Sequence, residues 1–346
     1  MRILSVVGAR PQFIKVAPIA RAMPEGVEHL ILHTGQHYDE EMSQVIFDEL
    51  KIPRPIANLQ IGSGSHASQT AALLVALETS FLEIAPDWVL VYGDTNTTIA
   101  AALTAAKMNI RLAHLEAGLR SFNRTMPEEL NRIVTDHLSD LLLAPSSIAM
   151  DNLFAEGLGS KAKLVGDVMV DSVRDAESLN RVLNEEESSE PYLMATLHRA
   201  ENTDDPERLA KLIEMMASSL LPIRLAAHPR LVAKTNDFGI FLNRGSISVV
   251  KPLSYLSMVR LMMRSSGVIT DSGGLQKEAF LLGIPCVTLR TETEWLETLE
   301  GGWNVLDPNG DLLSNQWWAE KRGAADKAVY GDGQASRRAI EAILNA

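Results

Sequence analysis

The stretch Asp87-Trp-Val-Leu-Val-Tyr-Gly-Asp-Thr-Asn-Thr-Thr-Ile-Ala-Ala-Ala-Leu-Thr-Ala-Ala-Lys-Met-Asn-Ile-Arg-Leu-Ala-His-Leu115 decides the fold. An apolar, β-rich run, Asp87 to Tyr92, leads through a polar segment able to cap a helix. An Ala-rich helix from Thr97 to Lys107 follows, then a second apolar run at Arg111 to Leu115. A strand, a helix and a strand at this spacing form one βαβ unit, and its two strands lie parallel in a single sheet.

Working outward, the same alternation covers the chain. Strands are expected at Arg2 to Val7, His29 to His33 and Asp140 to Ala144 in the first half. After Lys163-Leu-Val-Gly the pattern restarts, with strands at Tyr192 to Thr196, Ile223 to Ala227, Ser246 to Val250, Gly267 to Thr270 and Cys286 to Leu289. The predicted class is α/β, with two Rossmann-like domains at 1–165 and 166–330. A length of 346 residues agrees with two domains at roughly 150 residues each.

Composition excludes several functions. Hydrophobic residues make up 46% and charged residues 22%, so neither disorder nor a fibre is expected. With 32 Lys+Arg against 44 Asp+Glu, the net charge of −12 has the wrong sign for coating nucleic acid or an anionic membrane. Anionic ligands must then be held by local groups. The lone Cys286 excludes an internal disulfide framework and a thiolate metal cluster. His33 and His37 could suggest a metal pair, but no cluster completes it, and zinc is discounted. No signal peptide and no uninterrupted run of 18 apolar residues is present, so a soluble cytoplasmic protein is expected.

In open α/β sheets, ligands sit where strands end and helices begin. The first strand runs into Gly8-Ala-Arg-Pro-Gln-Phe-Ile-Lys15, whose Arg10 and Lys15 can grip phosphate oxygens; the plain alternative is a surface pair. No Gly-x-Gly-x-x-Gly follows any strand, which argues against a nicotinamide cofactor. Asp94 and Glu116 arrive at the carboxyl ends of successive strands. Glu128 and Arg132 follow in Pro127-Glu-Glu-Leu-Asn-Arg, where a first-turn Glu also complements the helix dipole. In the second half His198 and His228 each lie just past a strand. The segment Thr270-Asp-Ser-Gly-Gly-Leu-Gln-Lys-Glu278 reads as a diphosphate cradle: Gly273 and Gly274 allow close approach, Ser272 caps the helix, and Glu278 can accept from ribose hydroxyls.

These segments together resemble the non-hydrolysing UDP-N-acetylglucosamine 2-epimerase family. Gly8-Ala-Arg-Pro, Tyr92-Gly-Asp-Thr, His114-Leu-Glu-Ala-Gly-Leu-Arg, Pro127-Glu-Glu-Leu-Asn-Arg, His198-Arg, Asp271-Ser-Gly-Gly and Tyr330-Gly-Asp-Gly-Gln-Ala occur in family order. The resemblance implies a glycosyltransferase-B-type fold with a central cleft, and a C-terminal helix within 331–346 that crosses back onto the first domain. It implies a UDP-sugar substrate, no cofactor and no metal, a homodimer, and inversion of C2 by elimination of UDP to a glycal and re-addition. Asp94, Glu116, Glu128 and His198 are then the catalytic candidates. Arg10, Lys15, Arg132, His228, Ser272, Gly273, Gly274 and Glu278 are the candidates for substrate binding. Gly8-Ala-Arg-Pro-Gln, Gly166-Asp-Val-Met and Thr293-Glu-Trp295 are similar to the branch acting on UDP-2,3-diacetamido-2,3-dideoxyglucuronic acid. UDP-N-acetylglucosamine is the first substrate expected and that uronate the second. A UDP-sugar glycosyltransferase, a hydrolysing relative and a non-catalytic UDP-sugar sensor remain alternatives.

Overall fold

The computed structural model describes residues 1–36, 40–182, 190–251 and 253–346, so His37 falls outside the described residues. The chain forms two compact units, Met1–Arg174 together with Ala328–Ala346, and Asp175–Lys327.

The first unit is built on seven strands: β1 (Arg2–Val7), β2 (Glu28–His33), β3 (Ala57–Asn58), β4 (Trp88–Tyr92), β5 (Arg111–Leu115), β6 (Leu141–Ala144) and β7 (Ala162–Leu164). They lie in the order β3-β2-β1-β4-β5-β6-β7, every pairing parallel. All five residues of β4 are buried, as a strand covered on both faces requires. One face carries Ile3, Val7, Leu90 and Tyr92 against Phe13, Val16 and Ile19 of the helix Arg10–Ala22. The other carries Leu4, Val6, Val89 and Val91 against the helices His66–Ile84 and Asn96–Lys107.

The C-terminal helix Ala335–Leu344 belongs to this unit, with Ala339, Ile340 and Ile343 in the same core as Phe13. Its start is held by Asp171, whose carboxylate accepts from Ala335 N (3.2 Å), Ser336 N (3.0 Å) and Ser336 Oγ (2.6 Å). The unit extends to Arg174, past the boundary at 165 read from the sequence. The physical reason is packing: Val165 and Val168 sit in its core, and Ser172 Oγ donates to Ile14 O at 3.0 Å.

The second unit repeats the plan with six strands: β8 (Leu193–Ala195), β9 (Ile223–Ala226), β10 (Ile247–Val250), β11 (Gly267–Thr270), β12 (Cys286–Thr288) and β13 (Asn304–Leu306). Their order is β10-β9-β8-β11-β12-β13, again all parallel. Three short strands, β3, β7 and β13, are absent from the sequence reading. Each has two or three residues and lies at a sheet edge, too brief for a hydrophobic pattern to register. Among the described residues no helix is long and apolar enough to cross a membrane.

This topology fixes where ligands go. In each sheet the chain winds outward from the first strand, then returns to that strand's other side. The turns after β1 and β4, and after β8 and β11, therefore diverge and leave a crevice beyond the strand ends.

Candidate functional site

At the switch point of the first unit, the turn after β1 is locked to the turn after β4 by one side chain. Gln12 Oε1 accepts from Gly8 N (2.8 Å) and Ala9 N (3.1 Å). Its Nε2 donates to Tyr92 O (2.9 Å) and approaches Thr95 Oγ1 and Thr98 Oγ1, each at 3.1 Å. Arg10, half-buried, is the first residue of the helix that this turn opens.

The next turn presents Asp94. Gly93 adopts φ +62°, and a Cβ there would stand 3.2 Å from Glu116 Oε2 and 3.5 Å from Lys15 Nζ. Glycine is what lets a carboxylate and an ammonium close against this turn. Lys15 and Glu116 form a buried ion pair. Glu116 itself has φ +73°, in the left-handed region where a non-glycine residue costs about 1–3 kcal/mol. Such strain persists only where the surroundings enforce it, and it clusters at functional sites.

The helix Pro127–Leu138 supplies the third part. Proline suits its first position, where no N–H is needed. Arg132 reaches Asp94 Oδ2 with Nε (2.9 Å) and Nη2 (2.8 Å), while Asn131 Nδ2 donates to Asp94 O at 2.8 Å. The guanidinium is held from behind by Glu129, whose Oε2 lies 2.5 Å from Arg132 Nη1. Glu129 also accepts from Ser121 N (2.9 Å) and Phe122 N (3.0 Å), fixing the loop after β5. Glu128, half-buried at the helix's second position, makes no hydrogen bond or ion pair among the described residues. The structure thus brings Asp94, Glu116, Lys15 and Arg132 to one turn, with Glu128 outside their network.

In the second unit, His198 stands beyond β8 and the cradle beyond β11. Asp271, wholly buried, accepts from His198 N (3.0 Å), Arg199 N (2.9 Å) and Asn202 Nδ2 (3.1 Å), and its Oδ1 lies 2.9 Å from His198 Nδ1. Burial pushes this carboxyl up, but hydrogen bonding and charge from His198, then the backbone N–H groups, outweigh burial and bring it to about 2. Asp271 is consequently ionised, and His198 keeps its Nδ1 proton pointed at it. Nε2 is the nitrogen left for a ligand, on a side chain 35% exposed.

Ser272 caps the helix Gly273–Leu282 by accepting from Leu275 N, and its own N donates to Thr270 Oγ1 at 3.0 Å. A Cβ on Gly273 would come 2.6 Å from Glu294 Oε1, whereas one on the exposed Gly274 would meet nothing closer than Ser272 Oγ at 4.0 Å. Glu278 is buried one turn further along. Lys277, also buried, places Nζ 3.6 Å above the ring of Trp295. His228 caps the helix Pro229–Phe238, its Nδ1 accepting from Arg230 N at 3.2 Å. The His228 ring lies 5.3 Å from that of His198.

Gln12, Glu129 and Asp271 were not among the site residues expected from sequence. Asp271 had a signal, since it immediately precedes the Ser-Gly-Gly cradle. Glu129 stands three residues before Arg132 and Gln12 at the third position of its helix, spacings open to local pairing, but their contacts with the loop at Ser121 and with the turn after β4 are not marked by spacing.

A family model described as UDP-N-acetylglucosamine 2-epimerase matches residues 21–344. The UDP-2,3-diacetamido-2,3-dideoxy-D-glucuronate 2-epimerase of Pseudomonas aeruginosa is 44% identical, over 99% of this chain and 99% of the relative. The UDP-N-acetylglucosamine 2-epimerase of Methanocaldococcus jannaschii is 41% identical, also over 99% of each. A crystal structure of a Methanocaldococcus jannaschii UDP-GlcNAc 2-epimerase in complex with UDP-GlcNAc and UDP superposes with a TM-score of 0.93 at 38% identity, covering 100% of both chains.

Proposed function

Because this chain belongs to the UDP-N-acetylglucosamine 2-epimerase family, we propose that it is an isomerase inverting C2 of UDP-N-acetylglucosamine to give UDP-N-acetylmannosamine. One observation in the first unit supports this reading above the rest. Two carboxylates, Asp94 and Glu116, stand at one turn, each engaged by a cation, Arg132 and Lys15. Two ionisable groups held by charged partners at one strand-end turn suit acid/base work on a sugar placed there.

The hydrogen on C2 is not next to a carbonyl, so its removal as a free carbanion is too costly. Elimination avoids that state. The C1–O bond breaks with its electron pair going to UDP, a carboxylate takes the C2 proton, and a C1–C2 double bond forms. A proton is then delivered to the opposite face of C2, and a diphosphate oxygen re-forms the bond at C1. No electron is gained or lost overall, and no cofactor enters.

Asp94 is one of the two acid/base groups, with Glu116 and Glu128 the candidates for the other. Developing negative charge on the diphosphate is met by Arg10, by His198 through Nε2, and by the helix start at Ser272, Gly273 and Gly274. Glu278 accepts from the ribose, and His228 flanks His198. The same reading makes the protein a homodimer, which sedimentation equilibrium tests.

A second substrate is favoured by a specific observation. Trp295, buried beneath Lys277, belongs to the Thr293-Glu-Trp295 segment that is similar to the branch acting on the diacetamido uronate. The relative acting on the diacetamido uronate is 44% identical. Incubation in D₂O with each UDP-sugar, without acceptor, tests both readings. Deuterium at C2 of intact nucleotide sugar is expected, and the sugar that exchanges faster identifies the substrate. Free UDP plus sugar would mean a hydrolase, and no change with either sugar would leave a transferase or a sensor.

A further inference from the structure

The first unit contains a fully buried charged cluster that the chemistry above does not use. His114, on β5, is 0% exposed, as is Asp136 on the helix Pro127–Leu138. His114 Nδ1 lies 2.7 Å from Asp136 Oδ1, and Nε2 lies 2.8 Å from Gly93 O. A carbonyl oxygen only accepts, so Nε2 carries a proton.

The other ring nitrogen follows from what surrounds Asp136. Its Oδ2 accepts from Gly118 N at 3.1 Å and lies 2.8 Å from Arg120 Nη1. Burial pushes this carboxyl up, but His114 and Arg120 together outweigh burial and hold it below the usual carboxylate range. An ionised carboxylate only accepts, so Asp136 Oδ1 is the acceptor that faces His114 Nδ1 and fixes the plane of the ring. Arg120 also pairs with Glu156 through Nε (2.7 Å), and His137 Nε2 lies 3.4 Å from Glu156.

The target of Nε2–H is the carbonyl of the residue before Asp94. Gly93 has no side chain to fix its left-handed backbone, and its N–H is taken by Leu115 O at 3.1 Å. With His114 on its carbonyl, both backbone polar groups of Gly93 are anchored to β5, and the direction in which the chain delivers Asp94 is set. The same glycine lies against Glu116 and Lys15. We propose that His114, held by Asp136 and Arg120, is the positioning residue that aims Asp94 through the Gly93 carbonyl. This rests on Asp94 being an acid/base group, as proposed above.

Two substitutions separate positioning from mere core packing. In His114→Asn the amide is of a length to donate toward Asp136 but too short for Gly93. In His114→Gln it is of a length to donate to Gly93. Rates of C2 deuterium incorporation are compared with Asp94→Asn as a reference. His114→Asn is expected to lower kcat by about 10²-fold, the effect of roughly 1 Å of misplacement, with KM and UDP affinity unchanged. His114→Gln is expected to recover most of that loss. Equal losses in both variants, or full kcat in His114→Asn while Asp94→Asn is impaired, would overturn the assignment. Full activity in Asp94→Asn would instead remove the acid/base reading on which it rests. Nitrogen-15 NMR of the unsubstituted protein at neutral pH checks the premise directly: a protonated Nε2 is expected, and an unprotonated Nε2 would overturn the assignment.

Discussion

Asp94 and Arg132 are joined through one oxygen, with Nε and Nη2 of the guanidinium 2.9 and 2.8 Å from the same Asp94 Oδ2. The other carboxylate oxygen engages neither nitrogen. A base must be held firmly while retaining a lone pair for its substrate, and this geometry provides both. Asp94→Asn should lower turnover by roughly 10²-fold or more, with UDP affinity retained in calorimetry. Arg132→Lys, which cannot bridge Asp94 and Glu129 with a rigid fork, should cause a smaller loss in kcat. An undiminished rate in Asp94→Asn would take Asp94 out of the chemistry.

Asp271 acts on His198 from the opposite side of its ring. With the carboxylate replaced by an amide, His198 loses the acceptor that anchors its Nδ1 side, and the direction in which Nε2 faces a departing diphosphate is no longer set. Asp271→Asn should lower turnover by about 10²-fold or more, because the ring is then no longer held in one orientation. Crystals of the variant should show His198 rotated or spread over two positions. A variant with normal turnover and an unmoved His198 would mean that backbone contacts alone set the ring.

Stability against acid follows from two groups of opposite type. His29, donating to or accepting from Ser5 Oγ at 2.8 Å, is pushed by burial to about 4. The unfolded chain binds this proton near pH 6.5 and the folded one does not, so stability falls between about pH 6.5 and pH 4. Asp271, at about 2 when folded against an ordinary 3.8, contributes stability that is complete above pH 4 and lost as pH falls through 2. A shift of that size is worth about 2 kcal/mol. Thermal melts from pH 7 to pH 2 should show both declines, and Asp271→Asn should flatten only the one below pH 4. If the variant loses stability below pH 4 as steeply as the parent, Asp271 is not responsible.

Much of this was legible in the sequence because strands buried on both faces are written as unbroken apolar runs. Trp88-Val-Leu-Val-Tyr92 names itself, and the residues after such a run are already placed at a strand end. Asp94, Glu116, His198 and Ser272 are located by that logic alone. What could not be read is which neighbours hold them. Glu128 and Glu129 are adjacent in sequence and chemically alike, yet a helix turns them 100° apart. Only Glu129 reaches Arg132 and the loop at Ser121. Gln12 touches the β4 turn 80 residues later, and nothing local in the sequence marks such a contact. The edge strands β3, β7 and β13 escaped for a different reason, since their pairing comes from the neighbouring strand and not from their own pattern.

Gln12 is the residue on which the joining of the two turns depends, and its loss should be costly. The side chain is 1% exposed, and its amide serves two backbone N–H groups, one backbone carbonyl and two threonine hydroxyls. Gln12→Ala removes all of these at once. Tyr92 O retains Thr98 Oγ1 at 2.8 Å, but the buried Gly8 N and Ala9 N lose the acceptor they share. Each buried group left unmet costs about 1–3 kcal/mol, so a destabilisation of about 3 kcal/mol is expected. Urea unfolding should show a lower midpoint with an unchanged slope, as befits a loss of native contacts. Turnover should fall as well, because the turn carrying Arg10 is no longer tied to the turn carrying Asp94. Gln12→Glu discriminates further: a carboxylate can still accept from Gly8 and Ala9 but cannot donate to Tyr92 O, so it should fall between the parent and Gln12→Ala in stability. A Gln12→Ala protein with the parent's urea midpoint would show that the link between the turns carries no weight.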